Sequence, residues 1–237
     1  MLPRRVAVFL FLALPLAAAQ GDRARGWEIY QQARAAAAHG KTLADYSFER
    51  VTQLEREGRT LRITSRTQAI PGKAQRIEVE SQAGVVTMVV NGDQGWRSGM
   101  GAKQNLPPDA VALQRKEDAR TAALYGPAVE EGSVRFREET SVNGRPADVI
   151  ELDDVGDTPL RLYVDRETHD VLERVFVGDA PGGKMAQIEE FLSDYRDVNG
   201  FRWPFAKRVV RNGEEANSST LSNVQLNQGL TVQQLTQ

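Results

Sequence analysis

Apolar and polar residues alternate with a period of two along most of this chain, which is the pattern of β-strands that have one buried face. Asn-Gly pairs such as Asn143-Gly144 and Asn199-Gly200 separate the alternating runs and favour tight hairpin turns. The strand-like runs cover residues 46–54, 59–70, 75–81, 85–90, 94–98, 134–142, 147–153, 160–165, 171–177, 185–197, 201–211 and 217–227.

Two stretches have a helical period instead. In residues 26–39, Trp27, Tyr30 and Ala33 recur at three-residue spacing, and a glycine follows as a stop signal. Residues 110–125 follow two prolines and an aspartate, which are good helix-start signals. The sequence therefore predicts two helices, one before the strands and one in their midst.

Strands joined by turns of two to five residues pair with their neighbours in a meandering antiparallel sheet. A sheet of roughly ten strands curls because its twist accumulates, and it becomes a barrel or half-barrel. Two helices are too few to cover such a sheet as layers. We therefore predict one domain over residues 20–237, mainly β with a few α-helices. It is a single curved antiparallel sheet, an incomplete barrel, whose concave face the helices cover or plug.

The first residues have the anatomy of a secretory signal peptide. Arg4 and Arg5 precede the apolar run 6–16, and Ala17 to Ala19 supply the small residues of a cleavage site. We expect cleavage after residue 19 and a periplasmic location; an uncleaved membrane anchor is the alternative, although the run is short for a bilayer. The arginine pair leaves Sec and Tat export both open. The chain has no cysteine, so neither disulfides nor a lipid-modified cysteine can form.

Charge and residue types exclude several functions. The 30 basic and 32 acidic residues give a net charge of −2, which provides no net attraction to nucleic acid. His39 and His169 are the only histidines, and the chain has neither cysteine nor a G-x-S-x-G turn, so we expect no catalytic residue and no cofactor. We interpret Asp153, Asp154 and Asp157 as a solvated hairpin tip and not a calcium loop, so no metal site is expected.

Three segments resemble motifs of the LolA-like superfamily of periplasmic lipoprotein carriers, and within it the branch of outer-membrane lipoprotein-sorting-like proteins. Residues 91–96 (NGDQGW) resemble a D-G-x-x-G-W turn, residues 162–168 (LYVDRET) an L-Y-x-D-x-x-T hairpin, and residues 193–205 (SDYRDVNGFRWPF) a strand-turn-strand motif. The likeness extends from about residue 26 to the C-terminus. It implies an incomplete antiparallel barrel with helices in its mouth, holding acyl chains or other lipid. Where the carriers have R-P-x-x-F, residues 70–76 keep the proline but have neither the arginine nor the aromatic residue.

The leading hypothesis is a non-catalytic, monomeric periplasmic carrier for a lipid, the acyl chain of a lipoprotein or another hydrophobic ligand. An apolar groove suits such a ligand because each buried methylene contributes about 0.8 kcal/mol. From the strand alternation we expect the ligand to contact Ile63, Ile77, Val79, Val86, Met88, Val90, Trp96, Leu160, Leu162 and Val164.

Two alternatives remain. The same fold with a filled cavity would suit a protein-interaction or sensor module that binds another envelope protein. An enzyme would have to depend on a carboxylate such as Glu189 or Glu190.

Overall fold

The computed structural model describes residues 14–56, 58–81, 84–99, 101–156, 158–180 and 184–237. Residues 1–13 of the predicted signal peptide lie outside the described residues, and 14–19 are described by their backbone alone. Asp157 and the side chain of Asp154, from the predicted hairpin tip, are outside them as well.

Strands dominate the described chain. The helices are α1 (Leu14–Ala38), α2 (Pro108–Tyr125) and α3 (Val232–Thr236), and a 3-10 turn covers Glu131–Ser133. The strands are β1 (Tyr46–Arg56), β2 (Arg59–Ile70), β3 (Ala74–Ser81), β4 (Gly84–Asn91), β5 (Gln94–Ser98), β6 (Gln104–Asn105), β7 (Val134–Val142), β8 (Arg145–Val155), β9 (Thr158–Asp165), β10 (Val171–Ala180), β11 (Lys184–Val198), β12 (Phe201–Arg211) and β13 (Glu214–Leu226).

Within the described residues all 13 strands form one antiparallel sheet, in the order β6-β5-β4-β3-β2-β1-β13-β12-β11-β10-β9-β8-β7. Two meanders, β1 to β6 and β7 to β13, meet where β1 pairs with β13, with Tyr46 opposite Leu226. β6 and β7 are the two edges, so the sheet is not closed into a barrel. The predicted fold class, a mainly β protein with one incomplete antiparallel barrel and a few helices, is confirmed.

Cross-strand pairing divides the side chains between two faces, because residues opposite each other project to the same side. We call the face that carries α1 and α2 the inner face and the opposite one the outer face. Beneath α1, the inner face buries Ile150, Leu160, Leu162 and Phe201 completely, each with 0 % exposure. The apolar positions of the alternating strands therefore form the core together with the two helices.

The C-terminal end of α2 is fastened to both α1 and the sheet. The hydroxyl of Tyr30 in α1 donates to the carbonyl oxygen of Ala123 at 2.6 Å, and Arg34 donates to that of Gly126 at 2.7 Å. These bonds satisfy carbonyl groups that a helix C-terminus leaves unpaired. The hydroxyl of Tyr125 donates to the carbonyl oxygen of Arg202 in β12 at 2.9 Å.

Three elements were not predicted from the sequence, namely the 3-10 turn Glu131–Ser133, β6 and α3. β6 consists of two residues paired with β5. α3 falls in the polar C-terminal tail, where Thr231 and Gln234 form a capping box and Leu235 packs on Ile70 and Ala74 of the outer face. A five-residue helix is unstable alone, so this one depends on that packing. In addition, α1 begins at Leu14, earlier than the predicted start at residue 26.

Candidate functional site

A cavity of about 330 Å³ lies between α2 and the inner face of the sheet. One side of α2 lines it through Leu113, Glu117 and Leu124, and the strands β1–β3 and β10–β13 form its floor. α2 is clamped at its C-terminal end by the bonds to α1 and β12, whereas its preceding turns cover the cavity. The volume is at the lower end of the range for ligand pockets, about 300–1,000 Å³.

One end of the cavity is aromatic. Tyr46 and Phe48 alternate along β1 and stack with ring centroids 5.8 Å apart. Trp203 of β12 lies 5.8 Å from Tyr46 and 4.6 Å from Tyr125 of α2. Ile77 extends this wall along β3. A hydrocarbon chain that lies on this wall removes apolar surface of both the chain and the wall from water, which favours binding.

At its other end the cavity is lined by Arg174 and Lys207, which belong to a buried ion-pair triad with Glu190. Glu190 of β11 has 4 % side-chain exposure, pairs with Arg174 of β10 and accepts a hydrogen bond from Lys207 Nζ of β12 at 2.6 Å. Burial by itself would raise the pKa of Glu190, but the charges of Arg174 and Lys207 hold this pKa well below its ordinary value. Glu190 is therefore ionised, and its negative charge is balanced by the ion pairs with Arg174 and Lys207.

Two more arginines complete the charged end. Arg120 of α2 is 3 % exposed, donates to Glu117 at 2.8 Å and stacks on Phe176, with Cζ 3.9 Å from the ring centroid. Arg50 of β1 lies with Cζ 5.0 Å from the ring centroid of Phe48. Among the described residues Arg50 has no ion-pair partner, and its buried Nε has no hydrogen-bond partner. Burial lowers the pKa of Arg50, although an arginine remains protonated at physiological pH.

A second cavity of about 330 Å³ adjoins the first, and the two share Leu113 together with the polar residues Arg50, Glu117, Arg120, Lys207 and Ser219. It continues to the rim of the sheet where β10 and β13 reach their turns. The charged end is thus an internal junction between two spaces.

Asp118 connects α2 to the sheet beside the aromatic end. It accepts a hydrogen bond from the hydroxyl of Tyr46 at 3.4 Å and another from the backbone N–H of Gly72. Burial raises the pKa of Asp118 to about 6, because desolvation outweighs these two hydrogen bonds. The carboxyl of Asp118 therefore exchanges its proton near pH 6 while the Tyr46 hydroxyl holds it at the edge of the aromatic wall.

The cross-strand register brings nine of the ten residues expected to contact the ligand onto the inner face. Ile77 lines the first cavity, and Val90 lines a separate one of about 400 Å³ next to the β2–β3 turn. Leu160, Leu162 and Val164 are 0–1 % exposed in the core under α1, where they pack against protein. The nine are Ile63, Ile77, Val79, Val86, Met88, Val90, Leu160, Leu162 and Val164.

The other residues of this set line none of the cavities described above. Ile63, Val79 and Met88 are half-buried on the inner face, and Val86 is 39 % exposed near the rim. Trp96 is on the outer face, because Gly95 is the residue of β5 that pairs with Val90. One residue of register decides the face on which a strand residue projects.

From the sequence, Glu190 was named only as a carboxylate on which an enzyme would depend, and the other charged cavity residues were not singled out. Arg50 follows Tyr46 and Phe48 on the inner face of β1, and Glu190 lies between Ile188 and Leu192 on that of β11. A charge at an inward position of an otherwise apolar face was the available signal. Such residues are rarely buried without a partner or a function.

The described residues include no group of three or more histidine, aspartate or glutamate side chains placed to hold a metal ion. His39 and His169 occupy turns, with φ of 47° and 58°. Nor does any helix in the part of the chain that the structure describes have the length and apolar character to span a membrane.

Comparison with solved structures supports a LolA-like fold. A DUF1329 family protein from Desulfovibrio piger is 14% identical over 89% of this chain and 95% of its own, with a TM-score of 0.59. A LolA superfamily protein from Nitrosomonas europaea is 12% identical over 90% and 97%, also with 0.59. A proposed outer membrane lipoprotein-sorting protein domain from Vibrio parahaemolyticus is 12% identical over 90% and 97%, with 0.56. At these identities the likeness shows the fold alone. No family model and no curated protein matches the chain.

Proposed function

We propose that this protein is an exported, non-catalytic carrier that holds the hydrocarbon chain of a lipid or of an acylated protein between α2 and the inner face. The observation that carries the proposal is the open cavity against the aromatic wall of Tyr46, Phe48 and Trp203. The LolA-like fold and the predicted signal peptide agree with a carrier in the periplasm, and the solved relative described in terms of lipoprotein sorting favours the same class of ligand.

The affinity for a chain can be bounded. Ten methylenes at about 0.8 kcal/mol each give roughly 8 kcal/mol of gross transfer free energy. Association costs about 4 kcal/mol or more of lost translational and rotational freedom. The difference is at most about 4 kcal/mol, so we expect a ten-carbon chain to bind by its hydrocarbon part alone with a dissociation constant of about a millimolar.

The test uses the neutral dye N-phenyl-1-naphthylamine, whose fluorescence rises in apolar surroundings, and its displacement by 1-decanol. Ile77→Trp puts a larger ring into the cavity from β3 and is expected to weaken dye and decanol binding at least about tenfold. Val85→Trp is the matched control, since Val85 is 52 % exposed on the outer face of the neighbouring strand.

A wild-type protein that neither enhances the dye nor binds decanol would refute the proposal. The same holds if Ile77→Trp, shown to be folded by circular dichroism, binds as well as Val85→Trp does. Native mass spectrometry of gently purified protein is an independent check, with a bound lipid as the expected result.

A protein-interaction role is the second candidate, and exposed apolar residues favour it. Leu61, Val85, Val86, Val177 and Met185 are 39–54 % exposed and lie near the turns at one rim of the sheet. Leu61 and Val86 project from the inner face, whereas Val177 and Met185 share the outer face of the adjacent strands β10 and β11. Exposed apolar residues mark contact surfaces where they are neighbours, so the pair on β10 and β11 is the part that favours this role. Capture of one envelope protein in a fixed ratio, with no lipid in either protein, would favour this role over the carrier.

A further inference from the structure

The two adjoining cavities have an excess of positive side chains, although the chain as a whole has a small negative net charge. Counted over the described residues, the two adjoining cavities are lined by six cationic and three acidic side chains. The whole chain has a net charge of −2, so the positive excess is local. The cations are Arg50, Lys116, Arg120, Arg174, Lys207 and Arg211.

Arg120, Arg174 and Lys207 have ion-pair partners, whereas Arg50 and Arg211 have none among the described residues, and of these two only Arg50 lines both cavities. Glu190 forms ion pairs with both Arg174 and Lys207, and Glu117 forms one with Arg120. Arg50 has no carboxylate within ion-pair distance among the described residues, and its Nε is buried without a hydrogen-bond partner. Arg50 is half-buried, and Glu117 and Glu190 favour its charged form without contacting it. Because burial disfavours a charge that has no direct partner, an anion bound at Arg50 would gain more than it would at an exposed arginine.

The position of Arg50 shows what kind of ligand would supply that counter-ion. On the inner face of β1 it follows Tyr46 and Phe48 of the aromatic wall, and its guanidinium faces the junction of the two cavities. Ser219, 7 % exposed, and Lys207 line the same junction and add donors. A hydrocarbon chain lying on the aromatic wall would therefore place its terminal group at Arg50.

We propose that the charged end of the cavity is an anion subsite, and that the ligand is a single-chain amphiphile whose oxyanion head group, a carboxylate or a phosphate, binds Arg50, Ser219 and Lys207. The inference rests on the proposed function and adds the chemical class of the ligand to it. Arginine suits this role because its planar guanidinium donates two parallel hydrogen bonds to such groups. A neutral lipid head would leave Arg50 unpaired.

The test compares decanoate, decyl phosphate and 1-decanol as competitors of N-phenyl-1-naphthylamine at low salt and neutral pH. We expect both anions to bind at least about tenfold more tightly than the alcohol, and the difference to shrink as salt is added. Arg50→Gln is expected to reduce the ratio of decanoate to decanol affinity about tenfold. Arg62→Gln removes the same charge from an exposed position on the outer face of β2 and should leave the ratio unchanged.

Each outcome separates the two proposals. Equal binding of decanol and decanoate by the wild type, which needs no variant to fold, would overturn the anion subsite and leave the carrier intact. An unchanged ratio in folded Arg50→Gln would also overturn it. Inorganic phosphate that binds as tightly as decyl phosphate would replace the amphiphile by a free anion. Failure of all three ten-carbon ligands to displace the dye would refute the carrier itself, and the inference with it.

Discussion

Replacement of Glu190 by glutamine tests how far the charged end of the cavity depends on its internal anion. The side chains of Glu190 and Arg174 are 4 % and 11 % exposed, and Lys207 is 23 % exposed. The amide keeps the shape of the carboxyl but leaves two cations facing each other without a counter-ion. Breaking a buried ion pair from one side costs about 3–5 kcal/mol.

We expect the lower end of this range, about 3 kcal/mol, because Lys207 is partly exposed and can turn towards the cavity. In a domain of this length the loss corresponds to a decrease of roughly 6–12 °C in Tm. The assays are thermal and urea unfolding followed by circular dichroism. Glu80→Gln is the control: Glu80 is exposed on β3, so its replacement should change stability by less than about 0.5 kcal/mol.

The pH dependence gives a second criterion. The pKa of Glu190 is depressed in the folded protein, so its stabilisation is complete above the ordinary value of 4.5 and disappears as the pH falls through the folded value. The difference between wild type and Glu190→Gln should therefore shrink as the pH is lowered from 4.5. A loss below about 1 kcal/mol at neutral pH would show that the cations do not need this carboxylate. A difference that does not shrink in acid would show that the loss of stability does not come from the negative charge of Glu190.

Two further substitutions test other parts of the structure by urea unfolding. Burial, and then the charge of Glu189, raise the pKa of Glu173 to about 7, so its ionisation destabilises the fold as the pH rises from 4.5 to 7. Glu173→Gln should be more stable than wild type above pH 7 by on the order of 1–2 kcal/mol, and parallel stability curves would contradict this. Tyr30→Phe removes the bond to the carbonyl oxygen of Ala123 and the acceptor of the Val129 N–H. The substitution should lower the free energy of unfolding by about 1–3 kcal/mol. An unchanged urea midpoint would show that these hydrogen bonds do not fasten α2 to α1.

Most strands were predictable because each pairs with its neighbour in the chain. The pairs Asn143-Gly144 and Asn199-Gly200 form the turns expected of them, with both residues at positive φ. α2 was predictable because its prolines and period are local features. α3 was not, since a five-residue polar helix is stabilised by Leu235 packing on Ile70, which is far away in the chain.

The candidate site was predictable in part. The inner-face assignment of residues such as Ile77 and Val90 follows from the two-residue alternation, but alternation gives no information about which inward residues α2 covers. Leu160 and Leu162 have the same pattern as Ile77 and yet lie under α1 in the core. The register of β5 could not be predicted from the alternation either. Trp96 was therefore expected to contact the ligand, whereas it lies on the outer face.

The sequence by itself determined the antiparallel meander and the apolar character of the inner face, because turn residues and two-residue alternation act between neighbours in the chain. Only the tertiary structure decided where the cavity is and what lines it. Arg50 lies on β1 and Glu190 on β11, and they approach because β1 pairs with β13 in the middle of the sheet. That pairing joins the two halves of the chain, and it depends on how the whole sheet closes over its helices, which no local pattern encodes.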